Sequence, residues 1–381
     1  MKEITKVNWL TPPNNRWSFQ NMSSIFDTTK LEKSPSPFVL SHKPESIEAF
    51  EFEGLNGKIT IRQMLNESFT DAFLVLKNSE IVFEEYQNNM SPKSLHLMNS
   101  VSKTFVGMLI GVLAEEDKLS PNDEVIKYIP ELEKTAFQGT TIQHALDMSA
   151  AVKFSEHYDD GDSKFWHEAA VVGWRPDLEK GSSPKTLLDY MSNLKETSQK
   201  NDEKFDYRTV LTNLVALAAE RACGEKFQTI LQKYIWDKLH AECDAKIVTD
   251  KNGFPYMGAG MNASARDLAK FGLMLMNNGV FNGTQVVPAS WIQATLSQNE
   301  KYKNNFLKSE YALRLPDFHY RNQTWVGDKS TMLCLGIYGQ AILVDQKNKI
   351  VIVKLSSHPE PDNPIILGTT FLGISALQEK L

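Results

Sequence analysis

Cysteine is scarce in this chain of 381 residues: Cys223, Cys243 and Cys334, scattered and odd in number. That pattern excludes a disulfide framework and fits a reducing compartment. Long runs of one charge are also missing. Lysine and arginine number 41 against 47 acids, a net charge of −6, which argues against nucleic acid or an anionic membrane as the main partner. No apolar run is long enough to span a bilayer; even residues 105–114 fall short. The start, Met1-Lys2-Glu3-Ile4-Thr5-Lys6, has no apolar core behind it, so no signal peptide is expected and the chain is placed in the cytoplasm. There is no Cys/His spacing of a zinc site, no Gly-rich phosphate loop after a strand and no internal repeat, so neither metal nor cofactor is expected. What remains is ordinary: 41% apolar and 23% charged residues in a chain long enough for a large core.

One stretch stands out. Asn99-Ser100-Val101-Ser102-Lys103-Thr104-Phe105 opens an apolar segment in which Val106, Leu109, Ile110 and Leu113 repeat at helical spacing. Residues three apart lie on one helix face, so Ser100 and Lys103 can touch. A buried lysine resists charging, which suits it to take a proton. Ser100 at a helix N-terminus sits where backbone N–H groups favour negative charge. Nucleophile, base and part of an oxyanion site could share one turn. The structural alternative is a helix-capping serine and a lysine that snorkels to solvent, and the local sequence weighs the two equally. Ser-x-x-Lys recurs at Ser182/Lys185, beside Gly181 and Pro184 and read as loop, and at Ser192/Lys195, read as a solvated helix.

Elsewhere the pattern predicts strands near both ends and helices between. Residues 1–60, rich in Pro, Asn and Ser, read as an irregular arm pinned by Trp9 and Trp17. Residues 71–77 and 81–86 read as a hairpin, as do 341–344 and 350–355; a further strand is expected at 332–336. A capped short helix is expected at 141–148, a long loop region at 153–184, helices at 209–222 (closed by Gly224) and 227–235, a Ser264-capped helix, a short one after Pro288 and a last one from 365 to the end. The expected fold is α/β: one antiparallel sheet from both chain ends, flanked by helices and interrupted by a mainly helical lobe. The expected division is residues 1–119 with 261–381, and 120–260, with an active site in the cleft between.

Tyr207, in Phe205-Asp206-Tyr207-Arg208-Thr209 before a helix, is the candidate second proton carrier. Held near an ammonium it would have a lowered pKa and act as a base. The alternative is a packed tyrosine with its hydroxyl bonded. Cys334-Leu335-Gly336-Ile337-Tyr338-Gly339-Gln340 offers two glycines at a strand edge, where a second oxyanion donor or a simple bulge could sit.

Ser100-Val101-Ser102-Lys103, Tyr207 and Leu335-Gly336-Ile337, in that order, resemble the serine β-lactamase and DD-peptidase superfamily. Thr141-Ile142-Gln143-His144-Ala145-Leu146-Asp147-Met148 and Ser264-Ala265-Arg266-Asp267-Leu268 support this. Within it, Asn15-Arg16-Trp17-Ser18-Phe19, residues 70–76 and residues 352–357 are most similar to the 6-aminohexanoate-oligomer hydrolases and related carboxylesterases. The resemblance covers nearly the whole chain, from about residue 9. It implies Ser100 as the acylated nucleophile, Lys103 as base or tuning charge, Tyr207 as proton shuttle, and Ser100 and Ile337 N–H as the oxyanion hole. It also implies Tyr158, Trp174, Thr209 and Gly336 at the substrate, no metal and no cofactor. Packing of a long loop is the competing account of Tyr158 and Trp174. The family's strand Lys-Thr-Gly is Cys334-Leu335-Gly336 here, and the position at which the 6-aminohexanoate-oligomer hydrolases carry an acid that could hold a substrate amine falls near Ala169, with Glu168 one place earlier. The lost cation counts against β-lactams and peptide C-termini. The expected partner is a small ester or linear amide, with no nucleic acid and no membrane; a homodimer is left open. The competing readings are a peptidoglycan-directed DD-peptidase or β-lactamase, and a non-catalytic binding protein.

Overall fold

Residues Ala72-Phe73-Leu74-Val75-Leu76 are buried without a break, and in a sheet only an interior strand covered on both faces buries such a run. A computed structural model of the chain, which describes residues 3–181 and 183–381, places it that way. The main sheet has seven strands: β1 (Thr70–Lys77), β2 (Glu80–Tyr86), β3 (His319–Arg321), β4 (Thr324–Val326), β5 (Thr331–Gly336), β6 (Gln340–Asp345) and β7 (Ile350–Ser356). Their order is β3-β4-β5-β6-β7-β1-β2, antiparallel throughout. The pairing of β7 with β1, from Ile350↔Lys77 to Ser356↔Thr70, ties the two ends of the chain together. Asn78 and Ser79 turn β1 into β2 with φ of 51° and 70°, the geometry a two-residue hairpin requires.

Four helices matter for the site. α1 (Ser102–Glu115) is buried from Ser102 to Leu113. α2 (Thr209–Cys223) ends on Gly224, whose φ of 66° is the left-handed cap expected of it. α3 (Ala265–Met276) starts at Ser264, which accepts from Asp267 N, and packs on β1, β6 and β7. α4 (Pro364–Lys380) closes the chain. Thr141 and His144 form the capping box of a short helix, Ile142–Leu146.

Several expectations need correction. The arm is not irregular throughout: Thr28–Leu31 pairs with Ala245–Val248 in a second sheet with Met261–Ser264 and Leu95–Leu97, and Glu51–Gly54 pairs with Gly57–Thr60. The polar strand Thr28–Leu31 carries no apolar alternation to reveal it, whereas the second hairpin does, with Phe52 and Ile59 among polar residues and Asn56-Gly57 at its turn, a local signal the sequence reading missed. Trp9 pins the arm, buried with its Nε1 donating to Trp174 O at 3.1 Å. Trp17 does not; it is 45% exposed. The stretch read as loop at 153–184 contains a helix, Lys164–Val171. The 227–235 helix changes to a wider π turn at Gln232–Trp236. Leu187–Ser192 is half-buried rather than solvated, with Leu187, Tyr190 and Met191 inside. Lys195 bonds Lys134 O instead of meeting Ser192. Ser182 lies outside the described residues. No helix among the described residues is long and apolar enough to cross a membrane.

Candidate active site

The apolar face of α1 carries two glycines where its neighbours come closest. A Cβ on Gly107 would lie 2.0 Å from Asn322 O, and one on Gly111 would lie 2.3 Å from the Trp291 ring. Trp291 Nε1 also donates to Gly107 O at 3.0 Å. The helix is thus clamped in the core, and its first turn is fixed with it. A 3-10 turn, Asn99–Val101, leads into it, with Asn99 at φ 47°. That left-handed residue re-aims the chain just before Ser100. Ser102 Oγ donates to Asn99 O at 2.7 Å and holds the turn. Ser100 stays 7% exposed, at the limit of the core.

Lys103 lies one turn on and is fully buried. Its Nζ reaches Ser100 Oγ at 2.9 Å, Thr209 Oγ1 at 2.9 Å and Gly258 O at 2.6 Å. Burial drags the amine down to about 8, against the pull of the Glu156 and Glu168 carboxyls. The three partners are not equivalent. Gly258 O can only accept. The Thr209 hydroxyl donates its hydrogen bond to Glu156 Oε1, at 2.6 Å, so it too accepts from Lys103. Ser100 is the one partner with a proton to give. A neutral amine, with two N–H groups and one lone pair, fits this cage as well as an ammonium does. The difference between the two is one proton on the line to Ser100.

Glu156 was invisible in the sequence, yet it organises this cage. Its carboxylate accepts from Thr209 N at 2.5 Å, from Thr209 Oγ1, and from Tyr158 OH at 2.9 Å. Glu168, fully buried, accepts from Asn213 Nδ2 at 2.9 Å, and Asn213 Oδ1 accepts from Gly258 N at 2.9 Å. Burial pushes Glu168 up to about 8, so it is largely protonated at neutral pH. Fully buried, it is not on the surface where a substrate amine could meet it.

Tyr207 enters from the start of α2. Its ring stacks on Trp325 at 5.6 Å and 17°, and Lys103 Nζ stands 5.0 Å from its centroid. The phenol faces the Ser100 hydroxyl. Two expectations change here. Lys103, expected within hydrogen-bond reach of both Ser100 and Tyr207, reaches Ser100 but meets Tyr207 at its ring face, with its other hydrogen bonds going to Thr209 and Gly258. And the phenol's pKa is raised, first by burial and then by Glu156, so Tyr207 rests as an acid.

The second side of the serine is the tip of β5. A Cβ on Gly336 would lie 2.5 Å from Met98 O and 3.0 Å from Ser100 N, so only glycine lets the strand come this close. Ile337 follows, and its amide donates to no protein acceptor among the described residues. Its carbonyl is held by Asn99 Nδ2 at 2.9 Å and by Gln340 Nε2 at 3.3 Å. Gln340 Nε2 also donates to Tyr338 O and Ser356 O, at 3.1 and 2.7 Å. Tyr338 and Gly339, with φ of 63° and 88°, make the turn. This is a tight hairpin tip rather than a bulge.

Of the residues expected at the substrate, Gly336 and half-buried Tyr158 lie beside this centre. Thr209 is fully buried and serves Lys103 instead. Trp174 is 3% exposed and packs against Trp9 and Tyr256, at 5.0 and 5.3 Å, which favours the packing account. The sequence reading missed Glu156, Asn213 and Gly258. Each acts across more than forty residues of chain and carries no local pattern. Among the described residues no group of His, Cys, Asp or Glu is placed to hold a metal.

Comparison with known proteins gives consistent results. Residues 60–369 match the family model described as Beta-lactamase. The 6-aminohexanoate-dimer hydrolase of Paenarthrobacter ureafaciens is 30% identical over 362 residues, 94% of this chain and 90% of that one. A Bacillus anthracis protein provisionally assigned as a 6-aminohexanoate-dimer hydrolase superposes with a TM-score of 0.87 at 28% identity, over 100% of this chain and 98% of that one. EstCE1, a hydrolase with promiscuous acyltransferase activity, shares the fold, with a TM-score of 0.60 at 14% identity over 82% of this chain and 95% of that one.

Proposed function

Since the chain belongs to the beta-lactamase family, we propose that it is a serine hydrolase that cleaves small esters or linear amides through an acyl-enzyme on Ser100. The observation that carries this reading is the Lys103 cage, in which only Ser100 can exchange a proton with the amine. Ser100 passes its proton to neutral Lys103 and attacks the carbonyl carbon. The oxyanion is met by the Ser100 and Ile337 amides. Tyr207 gives its phenolic proton to the leaving oxygen or nitrogen, and the ammonium beside its ring stabilises the phenolate that results. In deacylation a water gives a proton to that phenolate and attacks the ester. Ser100 Oγ departs with the proton held on Lys103, and both residues return to their starting state. On this reading residues 1–119 and 261–381 form one lobe and 120–260 the other. Ser100 and Ile337 come from the first, Glu156 and Tyr207 from the second.

Ester or linear amide is preferred over β-lactam because the strand cation is absent: Cys334 takes its place and is 1% exposed, turned into the core. The relative's activity on the 6-aminohexanoate dimer supports a linear substrate. The test is a panel of p-nitrophenyl esters with intact-mass detection of the acyl-enzyme, beside Ser100→Ala. The expected result is turnover and a mass increment by the native chain and neither by the variant. Equal turnover by Ser100→Ala would remove the proposal. Acylation by penicillin without ester turnover would point to a β-lactam-directed enzyme, and no modification by any probe to a binding protein.

A further inference from the structure

A cleft of about 350 Å³ lies against Tyr207, with Phe205 and Tyr311 among the apolar side chains that line it. That is the size of a small-ligand site. Three lysines from three separate segments also line it: Lys153, Lys204 and Lys308. We propose that this cleft receives the leaving-group half of the substrate and that its lysines bind a carboxylate carried there.

The charges decide this. Of the acids that line the cleft, Glu156 has turned both oxygens inward to Thr209 and Tyr158, and Asp206 is held by Arg208. Glu310 is the acid left open. Against it stand three cations. Half-buried Lys204 has no ion-pair or hydrogen-bond partner for its amine among the described residues. Lys308 donates to a neutral acceptor, Glu203 O at 2.9 Å, which leaves its charge without a counter-ion. Lys153 pairs with Glu196 at 2.7 Å, but the two side chains are 62% and 74% exposed, and such a pair opens at little cost. The mouth is therefore cationic, above an aromatic wall. This arrangement suits an organic acid with an apolar body. It also supplies, from another quarter, the positive charge that the buried Cys334 withholds at the strand edge.

The assignment to the leaving-group half rests on the role proposed above for Tyr207. That phenol lines the cleft and faces Ser100, so the group it protonates departs past it into the cleft. The acyl half stays on Ser100. The 6-aminohexanoate dimer named for the P. ureafaciens relative would leave a free amino acid, whose carboxylate this mouth could hold.

The test compares 4-acetoxybenzoate with its neutral counterpart, 4-acetoxybenzamide. Both give the same acetyl-enzyme, so deacylation is common and a difference in kcat/KM reports the leaving-group half. The native chain is compared with Lys153→Gln/Lys204→Gln/Lys308→Gln. The expected result is a fall of roughly tenfold in kcat/KM for the carboxylate, with the amide changed less than twofold, and a loss of the native preference as salt is raised. Equal changes for both substrates, or none, would overturn it. Direct binding of 4-hydroxybenzoate, followed by calorimetry, needs no turnover: at least a fivefold weakening in the triple variant is expected, and equal affinity overturns the subsite. If neither acetate is turned over while that binding depends on the lysines, the subsite stands and the hydrolase reading falls.

Discussion

Lys103 and Lys354 are both fully buried, both donate to a serine hydroxyl, and burial holds both amines down, to about 8 and to about 7. Only one of them has the surroundings of a reactive centre. Lys354 lies within β7 and donates to Ser356 Oγ and to Ser68 O, both in the core. The nearby Asp71 is fully engaged by Arg16, His96 and Ser357. Nothing from outside can reach Ser356. At Lys103 the serine lies at the edge of the core, with an open amide at Ile337, a phenol in front and a cleft beyond. A depressed amine beside a serine is therefore not a site by itself. The site needs an approachable oxygen, donors for the developing charge and a route for the proton.

The largest effect should separate the two serines. Ser100→Ala should lower ester turnover by a factor of about 10³ or more. Ser356→Ala should leave it within a few-fold while lowering the melting temperature, because it strips a partner from a buried lysine. Comparable losses from both would erase the distinction. Next comes the strap between the proposed nucleophile and the proposed oxyanion turn. Asn99→Ala removes the Nδ2 bond to Ile337 O and the side chain best suited to φ 47°. We expect kcat to fall about 10–100-fold with KM within a factor of three, since the misplaced amide matters only once the oxyanion forms. A rise in KM with kcat unchanged would assign Asn99 to ground-state binding instead.

The third effect is on pH. In the proposed mechanism acylation needs neutral Lys103, so its rate should climb as pH rises through about 8. Glu156 and Glu168 are the carboxyls facing the amine, and Tyr207 covers it with an uncharged ring. Glu156→Gln removes an anion that favours the ammonium. Its amide would also donate to Thr209 Oγ1, freeing that hydroxyl to give its proton to the amine. Both changes favour neutral Lys103, so the acid limb of kcat/KM should move down by about one pH unit. A limb that stays put or moves up would show that Glu156 does not govern the amine.

What the sequence disclosed and what it hid follow from distance along the chain. Ser100 and Lys103 are three residues apart, and helical geometry alone joins them. The three-residue strands β3 and β4 were too short to show a pattern, but two hairpins of the main sheet, β1–β2 and β6–β7, were legible because apolar strands flank short polar turns. Glu156 was not, because its partner Thr209 lies 53 residues away and nothing in Ser155-Glu156-His157 marks the glutamate. The same blind spot reversed the reading of Tyr207: its lysine was visible, but neither its burial nor the Glu156 charge was. The strand Thr28–Leu31 finds its partner more than two hundred residues on, at Ala245–Val248, and its polar residues gave no alternation to read. Trp174 and Thr209 were placed at the substrate by resemblance. Packing and hydrogen bonding, which only the fold supplies, put them behind the site.

The smallest effect concerns Lys354, and it tests whether the second amine is only a burden on stability. Its ordinary value is 10.5, and in the folded chain it is about 7. Between those limits the unfolded chain binds the proton and the folded chain does not, so stability should rise with pH across that window, by about 1.4 kcal/mol per unit from this group. Below about 7 the cost of the buried charge is fully present and the slope vanishes. Lys103 contributes a slope of the same sign above about 8, and raised tyrosines act in the opposite direction near 10, but both are shared by any Lys354 variant. The difference between the native chain and Lys354→Met therefore isolates this amine. The variant loses two hydrogen bonds, a pH-independent cost of about 1–3 kcal/mol. Urea unfolding at pH 7 and pH 9 should show the native chain gaining about 2–3 kcal/mol on the variant. Parallel curves would mean that Lys354 keeps its proton in the core, and the resemblance between the two lysines would then be one of position only.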